Sequence, residues 1–137
     1  MITRLLLYLW QLPQNLLGLL LVAIYRPDIR LIAKNGNVVY YSRRMAGGIS
    51  LGKYSIIAKY NYKRDDEIAL KSKVVLHEAI GHGTQSRILG PLYLPVIGLP
   101  SLLWACVYPS RLFPYKKNGY YEFYTEKWAD SLAGIIR

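Results

Sequence analysis

The only two histidines of this chain stand in one run, His77-Glu78-Ala79-Ile80-Gly81-His82, with a glutamate beside the first. Two imidazoles and a carboxylate this close together are the parts of a helical zinc-hydrolase site. In the pattern H-E-x-x-H the histidines lie four apart on one helical face and bind Zn²⁺, and the glutamate is general base toward the attacking water. Here the spacing is five. In a regular α-helix that leaves the two side chains about 140° apart around the axis, too far to share one tetrahedral ion. Three resolutions exist. A π-bulge, one extra residue held in a wider turn, realigns the histidines, and Gly81 eases it by lacking a Cβ. Alternatively Glu78 and His82, four apart, are the ligands, which leaves Ala79 where the base should stand. In the third, the site is lost and the helix is a relic. Two histidines at this spacing are also compatible with ordinary hydrogen-bonded or capping roles.

A second group lies near the C-terminus, in Thr125-Glu126-Lys127-Trp128-Ala129-Asp130. Glu126 and Asp130 are four apart and share a helical face. Alone, they read as a solvated acidic pair. Facing the first helix, they can supply a third metal ligand and a carboxylate that orients an imidazole. The two segments together hold two histidines, a base, a third ligand and an orienting group.

The elements that must position these groups are legible in outline. Leu5 to Tyr25 carries no charge and, as a helix, spans about 31 Å, enough for a hydrocarbon core. Arg4 and Arg26 bracket it, and Trp10 and Tyr25 suit its interfaces. Gln11, Gln14 and Asn15 interrupt the apolar character, and Pro13 predicts a kink. A cleaved signal peptide fits less well, because the apolar region is long and no small-x-small site follows it. After this anchor (residues 1–28), β-rich runs flank Asn35-Gly36, a hairpin signal. Ile49–Tyr62 offers one or two more strands, so a small antiparallel meander is expected. Asp65-Asp66-Glu67 starts a helix expected to run from about Asp66 to Ile88 with the histidine motif in its second half. Residues 90–109 are apolar, but Pro91, Pro95 and Pro100 point to a broken, re-entrant or interfacial segment with Trp104 and Tyr108 at headgroup level. A polar, Tyr-rich connection (Pro114–Tyr121) precedes a last helix over Tyr121–Ile136, with Phe123, Trp128, Leu132 and Ile135 on one face.

The net charge is +10, and residues 26–87 hold twelve of the eighteen Lys and Arg. Beside an apolar span this excess reads as the cytoplasmic side of a bacterial inner membrane. The charges are spread singly and no nucleic-acid motif accompanies them, so nucleic acid is not an expected partner. Cys106 is the only cysteine, which excludes an intramolecular disulfide and a Cys-based metal site. Its apolar surroundings predict a buried thiol.

The combination resembles the gluzincin class of zinc metalloproteases. Within that class it is most similar to the membrane-embedded branch of the CAAX prenyl proteases and HtpX-type heat-shock proteases. Those enzymes pair H-E-x-G-H on one helix with Glu-x-x-Ala-Asp on another. Glu126-Lys127-Trp128-Ala129-Asp130 follows the second pattern, and His77-Glu78 with Gly81-His82 follows the two ends of the first, with one residue inserted between them. Gly81 to Leu94 and the run Thr125–Asp130 also resemble small membrane proteins of Bacteroides-type bacteria that carry H-E-x-G-H-x-x-Q-S and T-E-K-W-A-D. The resemblance implies an α+β fold: an N-terminal membrane helix, then one zincin-like domain over residues 29–137 that contains the apolar segment 90–109. It implies His77, His82 and Glu126 as Zn²⁺ ligands, Glu78 as general base and Asp130 as the group that orients a ligand. The implied partners are the lipid bilayer and a peptide or protein substrate, aligned by a sheet edge within residues 31–62. The alternative is an inactive zincin-like binding or scaffold protein whose motif the insertion has disrupted.

Overall fold

The computed structural model describes residues 1–62, 65–108 and 119–137, and within them the fold is α+β with a small four-stranded sheet. The chain opens with α1 (Ile2–Trp10) and α2 (Leu12–Tyr25). These are not one membrane-length helix: they meet at Gln11 with an 83° bend, and no single helix among the described residues is long and apolar enough to cross a membrane. The polar residues that interrupt the apolar run make the corner. Gln11 Nε2 donates to Leu7 O (3.1 Å), and Asn15 Nδ2 donates to Tyr8 O (3.0 Å) across the bend. Gln14 and Asn15 are fully buried because they also dock the corner: Gln14 donates to Ser86 Oγ and Gly90 O, and Asn15 Oδ1 accepts from Lys53 N–H. Pro13, near the start of α2, needs no hydrogen bond there.

Four strands follow: β1 (Ile29–Ile32), β2 (Val38–Ser42), β3 (Gly48–Leu51) and β4 (Tyr54–Ala58). The Asn35-Gly36 turn forms as the sequence indicates, with Gly36 at φ +85° and β1 antiparallel to β2. The sheet is mixed and is not the expected antiparallel meander. Its order is β1-β2-β4-β3, with β2 parallel to β4. The β3–β4 hairpin turns over at Gly52 (φ +62°) and inserts β4, whose Ser55–Ala58 are all buried, in the interior. The less buried β3 stays at the edge, beside the histidine motif.

The motif helix is broken near its start. Asp65 caps α3 (Asp66–Leu70), accepting from the N–H groups of Glu67 and Ile68, as expected for the acidic cluster. Ser72 then caps a new helix, which runs as α4 (Lys73–Val75), a π-helical segment Leu76–His82 and α5 (Gly83–Leu89). Val39, Tyr41 and Ile57 of the sheet pack with Val75 and Ala79 to form the core beneath this helix.

Leu94–Val107 is one apolar helix, its first turn π-helical (Leu94–Gly98) and the rest α6 (Leu99–Val107). Fourteen residues span about 21 Å, short of a hydrocarbon core. The prolines leave it intact. Pro100 has no N–H for Val96 O, four residues back, and the Tyr124 hydroxyl donates to that carbonyl instead (2.7 Å). Cys106 is exposed on this helix, against the expected burial, because α6 buries none of its residues. The predicted connection Pro114–Tyr121 lies mostly outside the described residues.

The last helix is α7 (Tyr124–Ala133). Its buried face is Thr125, Glu126, Ala129 and Asp130, where the sequence predicts an apolar face of Phe123, Trp128, Leu132 and Ile135. This helix is held by polar contacts to the motif and by the close packing of Ala129, while Trp128 and Leu132 lie only half-buried at the rim.

Candidate metal centre

The five-residue spacing is resolved by the π-helical turn. Gly83 N–H bonds Glu78 O, five residues back, and so passes over Ala79 O, its acceptor in an α-helix. A buried carbonyl cannot stay unpaired without cost. Ala79 O accepts instead from Asn35 Nδ2 (2.8 Å) and Asn37 Nδ2 (3.0 Å), both in the β1–β2 turn. The hairpin loop therefore holds the bulge open from outside the helix. With the extra residue absorbed, the two imidazoles meet edge to face, 4.8 Å between centroids.

Close approach of α7 completes the cluster. A Cβ added to Gly81 would lie 2.8 Å from the Ala129 carbonyl carbon and nearer still to its oxygen, so only glycine admits α7 at this distance. Gly81 thus serves helix packing as well as the bulge. The contact brings Glu126 Oε2 to 2.8 Å from His77 Nε2 and 3.3 Å from His82 Nε2. Glu126 Oε1 takes the hydroxyls of Ser101 and Thr125.

The other ring nitrogens are fixed by separate partners. His77 Nδ1 donates to Asp130 Oδ1 (2.7 Å), and Arg137 anchors Asp130 through both carboxylate oxygens (2.6 and 3.1 Å). The Arg137 guanidinium lies 3.3 Å over the Tyr121 ring. His82 Nδ1 donates to Gln85 Oε1 (2.7 Å), and the amide is oriented by its own donation to Thr125 O (2.8 Å). With both Nδ1 atoms protonated, a neutral form of either ring presents a lone pair at Nε2. Both lone pairs would then face one anionic oxygen. That arrangement is attractive only with a cation at the focus, either protons on both rings or one metal ion.

The electrostatics agree. Burial pushes the His82 pKa down, but the hydrogen bond to Glu126 and the charges of Glu78 and Glu126 outweigh it and raise it to about 9. For Glu126, burial acts upward, yet the hydrogen bonds from both histidines hold its carboxyl far below the usual range. Asp130 is likewise lowered, burial being outweighed by Arg137 and His77.

Glu78 is set apart from this focus. Its Oε2 accepts from Ser50 Oγ (2.6 Å), and Ser50 Oγ also contacts Ser55 Oγ (2.9 Å). Its Oε1 lies over Gly48, where an added Cβ would be only 2.6 Å away. The buried group His77, Glu78 and His82 can hold a metal ion, offering ligand atoms within 4.8 Å of one another. Glu126 lies closer than Glu78 to both Nε2 atoms and bridges them directly. In a tetrahedral zinc site with bonds of about 2.0–2.2 Å, ligand atoms stand about 3.3 Å apart. The observed 2.8 and 3.3 Å are a small side-chain adjustment from that geometry.

The centre opens onto a cleft of about 460 Å³, walled by Leu17 and Leu21 of α2 and by Leu94, Leu99 and Leu102 of the apolar helix. Glu78, His82, Glu126 and Gly48 line its floor. All five residues singled out in the sequence (His77, Glu78, His82, Glu126 and Asp130) meet here. Ser50, Gly48, Gln85, Ser101 and Arg137 were not anticipated. Gln85 alone carried a local signal, three residues after His82 on the same helix. The chain matches no protein-family model, no curated protein and no solved structure.

Proposed function

We propose that this chain is a membrane-associated, zinc-dependent metallopeptidase, with His77, His82 and Glu126 as ligands and Glu78 as general base. The observation that carries the reading is the convergence of two Nε2 lone pairs on one carboxylate oxygen, with both Nδ1 atoms held by other groups. Zinc is the ion that imidazole and carboxylate suit in a tetrahedral set. When bound, it supplies Lewis-acid polarisation of a carbonyl and lowers the pKa of a coordinated water. Glu78 takes the proton from the attacking water and delivers it to the leaving amine as the C–N bond breaks. Ser50 fixes the Glu78 carboxylate in rotation, and the apolar cleft limits access of bulk water.

Substrate alignment is supported by the β3 edge. Gly47 O accepts from Ala58 N–H, so the peptide groups of Gly48 and Ser50 point away from β4. Ser50 O is occupied by the Tyr93 hydroxyl (2.8 Å). Gly48 is therefore the residue free to pair with an extended peptide, directly beside Glu78.

Membrane association is supported by apolar exposure. Leu16, Leu20 and Ile24 on α2, and Leu99, Leu103 and Val107 on α6, present their side chains outward. The bent α1–α2 pair is compatible with partial or re-entrant insertion.

The test is metal analysis of the purified full chain, followed by peptide hydrolysis. Stoichiometric zinc that is lost in His82→Ala supports the reading, and Glu78→Gln should keep zinc while abolishing turnover. No zinc under any loading condition overturns it. Zinc without hydrolysis of any peptide pool would favour the inactive binding or scaffold alternative.

A further inference from the structure

A second cleft, of about 610 Å³, lies between α1 and the β1–β2 turn and shares no lining residue with the cleft at the histidines. Four cations line it, Arg4, Lys34, Lys53 and Arg87, and among the described residues no carboxylate does. Arg87 is fixed in place by donating Nη2 to Asn35 O (2.6 Å) and Asn37 Oδ1 (3.0 Å), while its buried Nε has no protein partner. Gln11, only 4% exposed, also lines the cleft, and its Oε1 likewise has no partner. Preset donors and one free acceptor suit an anion that carries a hydroxyl or amine nearby.

The helix over this cleft points to the source of that anion. Arg4, Leu7, Tyr8 and Gln11 of α1 face the cleft, at the spacing of one helical face. Ile2, Leu5, Leu6 and Leu9 are exposed on the opposite side. An amphipathic helix with leucines on one face lies in a bilayer interface and not across it. Trp10 ends the helix half-exposed and ties it to α5 by donating Nε1 to Arg87 O (3.0 Å). In that orientation the cleft, on the face of α1 opposite the leucines, lies on the headgroup side of the helix.

We infer that the Arg4–Lys34–Lys53–Arg87 cleft binds the phosphodiester headgroup of an anionic phospholipid while the leucine face of α1 enters the acyl boundary. The inference is independent of the metal reading. It is tested by co-sedimenting the full chain with phosphatidylcholine vesicles, with and without phosphatidylglycerol. Lys34 and Lys53 are exposed, so Lys34→Gln with Lys53→Gln leaves the fold intact. Binding to the anionic vesicles should weaken by about 30-fold in that variant. Exchange of two lysines outside the cleft, Lys73→Gln with Lys127→Gln, should change it by less than about threefold. Equal losses in the two variants would mean diffuse attraction and overturn the site. Equal binding of the unaltered chain to both vesicle types overturns it as well. So does saturation by inorganic phosphate or glycerol 3-phosphate without any vesicle preference, which would identify a soluble phosphate compound as the ligand.

Discussion

The imidazole rings of His77 and His82 meet edge to face at 4.8 Å because the helix between them carries one residue more than an α-helical turn. The carbonyl that the extra residue releases, Ala79 O, is bound by two asparagines from a hairpin more than forty residues earlier. Convergence of the two imidazoles thus depends on a β-turn that touches neither ring.

That dependence can be measured. Replacing Asn35 and Asn37 together by Ala leaves Ala79 O without its donors, at a cost of about 1–3 kcal/mol in stability. The bulge should relax toward α-helix and swing the histidines apart. Zinc affinity, read by competition with a chelator, is expected to fall at least tenfold, although every ligand is still present.

Two glycines separate positioning of Glu78, the proposed base, from assembly of the histidine–Glu126 cluster. Gly48→Ala places a methyl carbon only 2.6 Å from Glu78 Oε1, so the carboxylate must shift. Zinc should be retained and kcat should fall about 10²- to 10⁴-fold, the usual contribution of a general base. Gly81→Ala instead meets the Ala129 backbone and pushes α7 away. Thermal unfolding should show a loss of about 1–3 kcal/mol, and zinc binding should fall with it.

The groups on the Nδ1 atoms orient the two imidazoles, and on the proposed zinc reading they would tune the ligands from behind. Gln85→Ala and Asp130→Ala each remove the acceptor that fixes a tautomer and a ring plane. Each should cost about 10- to 100-fold in zinc affinity. Asp130→Ala also releases Arg137, so the C-terminal residues should become sensitive to carboxypeptidase.

The metal-free protein should have a narrow stability optimum in pH. The His82 pKa is raised from 6.5 to about 9 on folding, so its stabilisation is complete below 6.5 and is lost as pH rises through about 9. Glu126 is lowered from 4.5, so its contribution is present above 4.5 and is lost as pH falls through its depressed value. On the alkaline side stability should decline by about 1.4 kcal/mol per pH unit per proton. Zinc bound at His82 Nε2 would replace its proton, so saturating zinc should remove that limb from denaturant midpoints. An alkaline limb unchanged by zinc would show that the ion does not bind at His82 Nε2.

The sequence by itself determined which groups meet at the candidate site and where the backbone turns. His77, Glu78, His82, Glu126 and Asp130 are scarce, chemically distinct residues at helical spacings. The Asn35-Gly36 turn and the Asp65 cap are local signals that few neighbours can override. The extra residue in the motif also required a wider turn if the histidines were to converge. Only the tertiary structure decided the rest. Periodicity does not say which strand neighbours which, so insertion of β4 beside β2 became visible only when its burial was known. Apolar composition gives a length and not a path. The 83° bend follows from what Gln14 and Asn15 bind across the fold, at Ser86, Gly90 and Lys53. The buried face of α7 is polar because it closes on two imidazoles, a partner that its own sequence does not contain. Spacing posed the need for a bulge, and distant asparagines meet it.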